Sequence, residues 1–212
     1  MNNGLFYVDT SRLLLELSEY HKKIEAELPV MQENERKEFE PLANCESIDE
    51  HTFYTLMHEH TWAFEFFFPR YYRYSFIVLL FLIVENQLNK LCDNIKNRRN
   101  LSTRVNELSG GIIGRSRTYL QNVADISFTN WQFVYDLLKI RNCIVHALGN
   151  IKLSRDEVRL RQVAAQQIGL SISNEDFPEV DVLLISEEFC THAIEEVRKF
   201  FKQLFDAVGF KC

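Results

Sequence analysis

Residues 131–150 read WQFVYDLLKIRNCIVHALGN, and this stretch decides the fold. On an ideal wheel of about 100° per residue, Phe133, Val134, Leu137, Leu138, Ile140, Ile144, Val145 and Leu148 fall in one apolar arc roughly 160° wide. That is the pattern of a helix packed on a core. Asn130 or Thr129 precedes it as N-cap. Gly149 stops it, because glycine takes the left-handed conformation there without a steric penalty. Three polar side chains occupy its last two turns. Arg141 falls near the middle of the arc, and Asn142 and His146 fall on its edge, about 40° apart at i,i+4 spacing.

Arg141 is the anomaly. A guanidinium buried among apolar groups costs several kcal/mol unless acceptors meet it. Three arrangements satisfy it: snorkelling to water, a structural ion pair, or insertion into a second copy of the chain. A partner for the ion pair lies upstream. Residues 70–97, RYYRYSFIVLLFLIVENQLNKLCDNIKN, read as one long helix opened by Pro69. It is apolar on nearly all sides from Phe76 to Val84, as in the central helix of a bundle. Glu85 shares a face with Val78, Phe81, Leu88 and Cys92, and is expected to approach Arg141. The uncharged run from Ser75 to Val84 is far short of the ~20 residues that span a bilayer. The reading is therefore of no membrane segment.

Outward from these two helices the pattern is mainly α. A first helix is expected from about Thr10 to Leu28, with Leu13, Leu17, Tyr20, Ile24 and Leu28 on one stripe and Pro29 kinking or stopping it. A helix covers part of 50–66, with the aromatics of AFEFFF on the core. Short helices follow at 101–108 and 112–123. Ser154 and Glu157 read as a capping box opening a helix to about Gln167. GLSIS and VDVLLIS read as two short strands around Pro178, forming a hairpin. A final helix over 187–208 places Phe189, Ile194, Val197, Phe201, Leu204 and Phe205 inward. The expected division is an N-terminal helical extension over 1–65 and a helical domain over 66–212, in one compact unit.

Composition narrows the function. The 212 residues are 46% hydrophobic, enough for a sizeable core. The net charge of −6 excludes a basic nucleic-acid coat. Basic residues are nonetheless locally dense: Lys96, Arg98, Arg99 and Arg104; Arg115 and Arg117; Arg155, Arg159 and Arg161. Each cluster reads either as a patch steering an anion or as a solvated helix face. Five scattered cysteines, Cys45, Cys92, Cys143, Cys190 and Cys212, give no CxxC pair, so neither a disulfide framework nor a zinc site is indicated. Cys143 is a helix residue and not a nucleophile. HTFYTLMHEH, residues 51–60, lacks HExxH, and its histidines read as surface groups; no metal and no cofactor is expected. Gly110, Gly111 and Gly114 lack the Lys-Ser/Thr ending of a phosphate loop and read as a turn between helices. No signal peptide appears at MNNGLFYVDT, so a cytoplasmic location is expected.

Arg141-Asn-x-x-x-His146 resembles the Arg-x(4–6)-His motif of the HEPN superfamily, whose members often carry a polar residue after the arginine. GGIIGRSRTYL (110–120), Trp131 opening the next helix, KIRNCIVHALGNI, the Glu85 helix and LLISEEFC before an amphipathic helix are similar, in order and spacing, to a group of prokaryotic HEPN proteins. The resemblance covers about residues 70–208. It implies a HEPN-like bundle and a metal-independent endoribonuclease, a toxin or phage-defence effector, working as a homodimer with RNA in the cleft between paired motif helices. The physical reading agrees. Arg141 and His146 diverge by about 140° and lie ~7.5 Å apart along one helix, so two copies would aim them at one phosphate better than one. The chemistry is 2′-OH transesterification. His146 transfers the proton, since histidine titrates near working pH. Arg141 stabilises the phosphorane. Asn142 orients His146 or holds a phosphate oxygen. Arg115 and Arg117 are candidates for contact with the RNA backbone, and a protein antitoxin or partner subunit is a further expected partner. Some toxins of the superfamily carry a tyrosine two residues after the histidine, nucleotidylated by an antitoxin. Leu148 stands there, so that regulation is not expected. Two other readings stay open: a non-catalytic HEPN module binding nucleotide, RNA or a partner protein, and an α-helical interaction protein whose motif is coincidental.

Overall fold

The computed structural model describes residues 3–41, 49–174 and 180–209. Helix α1 runs Asn3–Phe39, α2 Glu50–Trp62, α3 Phe68–Arg99, α4 Ile112–Thr118, α5 Gln132–Ala147, α6 Glu157–Gln166 and α7 Glu187–Val208. Strands β1 (Leu170–Ser173) and β2 (Val182–Ile185) pair antiparallel, Leu170 opposite Ile185, just before α7. The chain is thus mainly helical with one small hairpin, as the pattern predicts. Pro178, Cys45 and Cys212 lie outside the described residues.

Helix α3 is the axis of the bundle. Phe76, Ile77, Leu80, Phe81, Val84, Leu88 and Leu91 are buried on it. They meet Leu137 and Ile140 of α5 and Phe201 and Phe205 of α7 in one cluster, which Leu14 and Leu17 of α1 also join. Pro69 stands in the first turn of α3, as expected, but a π-helical turn, Ala63–Phe67, carries α2 straight into it. Its aromatics do not pack on the core: none of the five residues is buried. They stack on each other instead, Trp62 on Phe66 and Phe67 on Tyr71. The continuous helix over 50–99 is long and apolar enough, by length and composition alone, to cross a membrane; half of its apolar 18-residue stretch is buried inside the bundle, as in a core helix.

Two expectations for α1 fail for physical reasons. Pro29 lies inside the helix and does not stop it. It removes one N–H from the ladder, at a position where Pro29 and Val30 are exposed and Leu28 half-buried. The inward stripe is Thr10, Leu14, Leu17, His21 and Glu25, while Tyr20 points to water. Polar residues take core positions because α3 supplies partners. Arg73 donates through Nε and Nη2 to both Glu25 carboxylate oxygens, each at 2.8 Å. His21 Nδ1 lies 3.0 Å from the Tyr72 hydroxyl and 3.9 Å from Glu25. The apolar-stripe rule cannot see such pairs.

Burial holds the His21 pKa below its usual 6.5, against the opposing pull of Glu25 and Glu187. The unfolded chain therefore binds a proton that the fold rejects. Stability is highest above pH 6.5 and falls as pH drops from 6.5 toward the lower native value. The melting temperature is expected to fall in this window, with a slope of at most one proton, about 1.4 kcal/mol per pH unit. The His21→Gln variant flattens that slope. An unchanged slope in the variant would remove His21 as its source.

Candidate functional site

The C-terminal turn of α5 is pinned from three sides. Leu148 and Gly149 both adopt left-handed backbone, at φ 48° and 82°. The stop therefore begins one residue before the glycine. Arg70 of α3 donates from Nη2 to the Leu148 carbonyl at 3.1 Å, its guanidinium lying against the rings of Phe66, Tyr71 and Tyr74. The Tyr74 hydroxyl donates to the Leu183 carbonyl, and Leu183 N–H donates to the Gly149 carbonyl at 2.9 Å. At the other end Trp131 is the N-cap residue, with no side-chain cap. Neither Asn130 nor Thr129 caps the helix with its side chain. Trp131 is held by its buried indole N–H, which donates to Phe128 O at 3.0 Å.

The motif residues lie at the border of the core. Val134, Leu137, Ile140, Cys143 and Ile144 are buried, but Val145 is 47% exposed and Leu148 69% exposed. The predicted arc is thus too wide on one side, and Arg141 sits on its edge, half-buried. This explains why no carboxylate meets it. Its guanidinium lies over the Phe81 ring, 5.5 Å from the centroid, and Nη1 donates to Asn142 Oδ1 at 2.9 Å. Its Nε is buried without a partner. The expected approach of Glu85 is not realised as an ion pair. Glu85 is half-buried one turn beyond Phe81, and no salt bridge joins it to Arg141 among the described residues.

Asn142 and His146 line one wall of a cleft of about 440 Å³. Ala147 extends that wall, and the facing wall is Leu153, Ser154, Arg155 and Asp156. Two ion pairs set the facing wall. Asp136, buried on α5, accepts from Arg159 Nε and Nη2 at 2.8 and 2.7 Å, and Lys139 pairs with Asp156. The capping box expected here is absent. Ser154 Oγ accepts from Asp156 N–H, and Asp156 is the N-cap of α6 without a side-chain cap bond. His146 is exposed and makes no hydrogen bond among the described residues. Arg155 is exposed, with no ion-pair partner among them. The cleft therefore offers an imidazole, an amide and a guanidinium to an anion, with Arg141 touching the amide from behind.

Other basic residues divide clearly. Arg159 and Arg161 are engaged, Arg159 by Asp136 and Arg161 by Glu157 and Asp181. Arg115 and Arg117 sit on α4, which packs on α3, and neither lines the cleft. Arg117 is exposed and reaches Gln121 at 3.3 Å. Sequence reading placed Arg155 only in a charge cluster; its role as a cleft residue follows from the Ile151–Leu153 turn, which no motif marks. Burial pushes the Cys143 thiol up to about 11, so it stays protonated and non-nucleophilic.

The chain matches no protein-family model, no curated protein and no solved structure.

Proposed function

We propose that this chain is a metal-independent endoribonuclease of the HEPN type, cutting RNA by attack of the 2′-OH on the adjacent phosphorus. One observation carries the reading: Asn142 and His146 open onto one cleft with Arg155, and Arg141 is tied to Asn142. The exposed imidazole transfers the proton. The Arg155 guanidinium takes up the phosphorane charge, and Arg141 holds Asn142 in place from behind. The products are a 2′,3′-cyclic phosphate and a 5′-OH end.

A homodimer completes the site in this reading. Phe68, Tyr71, Leu79 and Leu82 on α3 and Val145 and Leu148 on α5 are exposed apolar residues. Those on α3 recur at helical spacing and share one face, and an exposed apolar face is a candidate association site. A second copy would bring its own Arg141 and His146 to the seam. The Leu82→Glu variant is expected to sediment as a monomer where the parent is a dimer. A monomeric parent at micromolar concentration would remove the paired site.

A second reading, RNA or nucleotide binding without cleavage, is favoured by the lack of an orienting hydrogen bond on His146 among the described residues. One assay separates the two. Purified protein is incubated with RNA in EDTA, and the fragment ends are identified. Cyclic phosphate ends support the nuclease. Retention of RNA without fragments supports the binding module, and neither result leaves the motif without a role in RNA chemistry.

A further inference from the structure

We infer a second, separate binding site, for a small amphiphilic carboxylate, between α1 and α7. A pocket of about 210 Å³ opens there, lined by Thr10, Ser11, Leu14, Phe201 and Phe205, with Arg198, Lys199 and Lys202 at its edge. It shares no residue with the cleft at α5. Its accessible surface is mainly apolar, over a floor of the core residues Leu14, Phe201 and Phe205. Its edge is cationic. Lys199 is bridged to Glu196 at 2.7 Å, and Arg198 spends Nη2 on the Leu14 carbonyl at 3.2 Å. Lys202 is exposed and has no acidic partner among the described residues.

The layer behind the pocket has hydrogen-bonding capacity to spare. Thr10 Oγ1 donates to Gln87 Oε1 at 3.2 Å, and Gln87 Nε2 is buried without a partner. The occupant follows from this arrangement. An apolar floor selects a hydrocarbon body, and the single-signed edge selects an anionic head. The volume lies below the ~300 Å³ at which drug-sized pockets begin, which limits the body to one ring or a short chain. A monocarboxylate of medium chain length meets all three conditions. Free phosphate meets only one.

The test is a titration of the full chain with octanoate, octan-1-ol and butyrate, followed by amide chemical shifts. Octanoate is expected to bind with a dissociation constant on the order of 1 mM, as its few atoms allow. Shifts should centre on residues 10–14 and 198–205. The alcohol lacks the charge and butyrate lacks the body, and each should bind at least about tenfold more weakly. Lys202→Glu should weaken octanoate about tenfold, and less at high salt. Ser11→Trp, at an exposed position, should fill the mouth and abolish binding without touching the core. Absence of octanoate binding overturns the proposal. So does octanol binding as tightly as octanoate, or unchanged affinity in both variants.

Discussion

His146→Ala is expected to lower RNA cleavage by about 10²–10⁴-fold, the usual contribution of a positioned acid–base group. The same variant should unfold at the parent's temperature, within about 0.5 kcal/mol in stability, because an exposed side chain with no hydrogen bond is removed. That separation gives the experiment its force. Arg141→Ala is a poorer first test: it also removes the contact on Phe81 and the bond to Asn142, mixing packing with chemistry. Cleavage rates and melting curves measured on one preparation decide the matter. Activity within threefold of the parent would take the imidazole out of the reaction, whatever Arg141 does.

Gly149→Ala is expected to produce a large loss of stability from a single methyl group. The backbone there is at φ 82°, and an added Cβ would overlap the Tyr74 hydroxyl and ring. The left-handed conformation costs alanine roughly 1–2 kcal/mol relative to glycine. The overlap adds more, because Tyr74 is buried and donates to Leu183; a buried acceptor left unmatched costs about 1–3 kcal/mol. A total of about 2–4 kcal/mol should appear as a drop in denaturation midpoint at constant slope. Tyr74→Phe in the same background should return part of it, through removal of the overlapping oxygen. A neutral Gly149→Ala would show that α3 and the end of α5 are not clamped together.

Helix periodicity and punctuation carried much of this architecture. The hairpin and α7 lie where alternating and amphipathic patterns put them, and all six inward residues named for α7 are buried. What periodicity could not reveal was decided by pairing. His21 and Glu25 occupy core positions because Tyr72 and Arg73 await them. Asp136 is buried because Arg159 grips it. Such pairs lie 23 to 51 residues apart, beyond any local window. The motif helix misled in the opposite direction. Its wheel counted Val145 and Leu148 as core because they are apolar, although the single chain leaves both in water. Arg141 then looked central and in need of Glu85. At the site, Asn142 and His146 were legible from spacing, whereas Arg155 depended on how a three-residue turn folds back.

The uncovered row on α3 and α5 has a kinetic corollary. Were the proposed dimer the cutting species, initial velocity would rise with the square of the chain's abundance while single copies dominate, so activity would switch on over a narrow range of concentration.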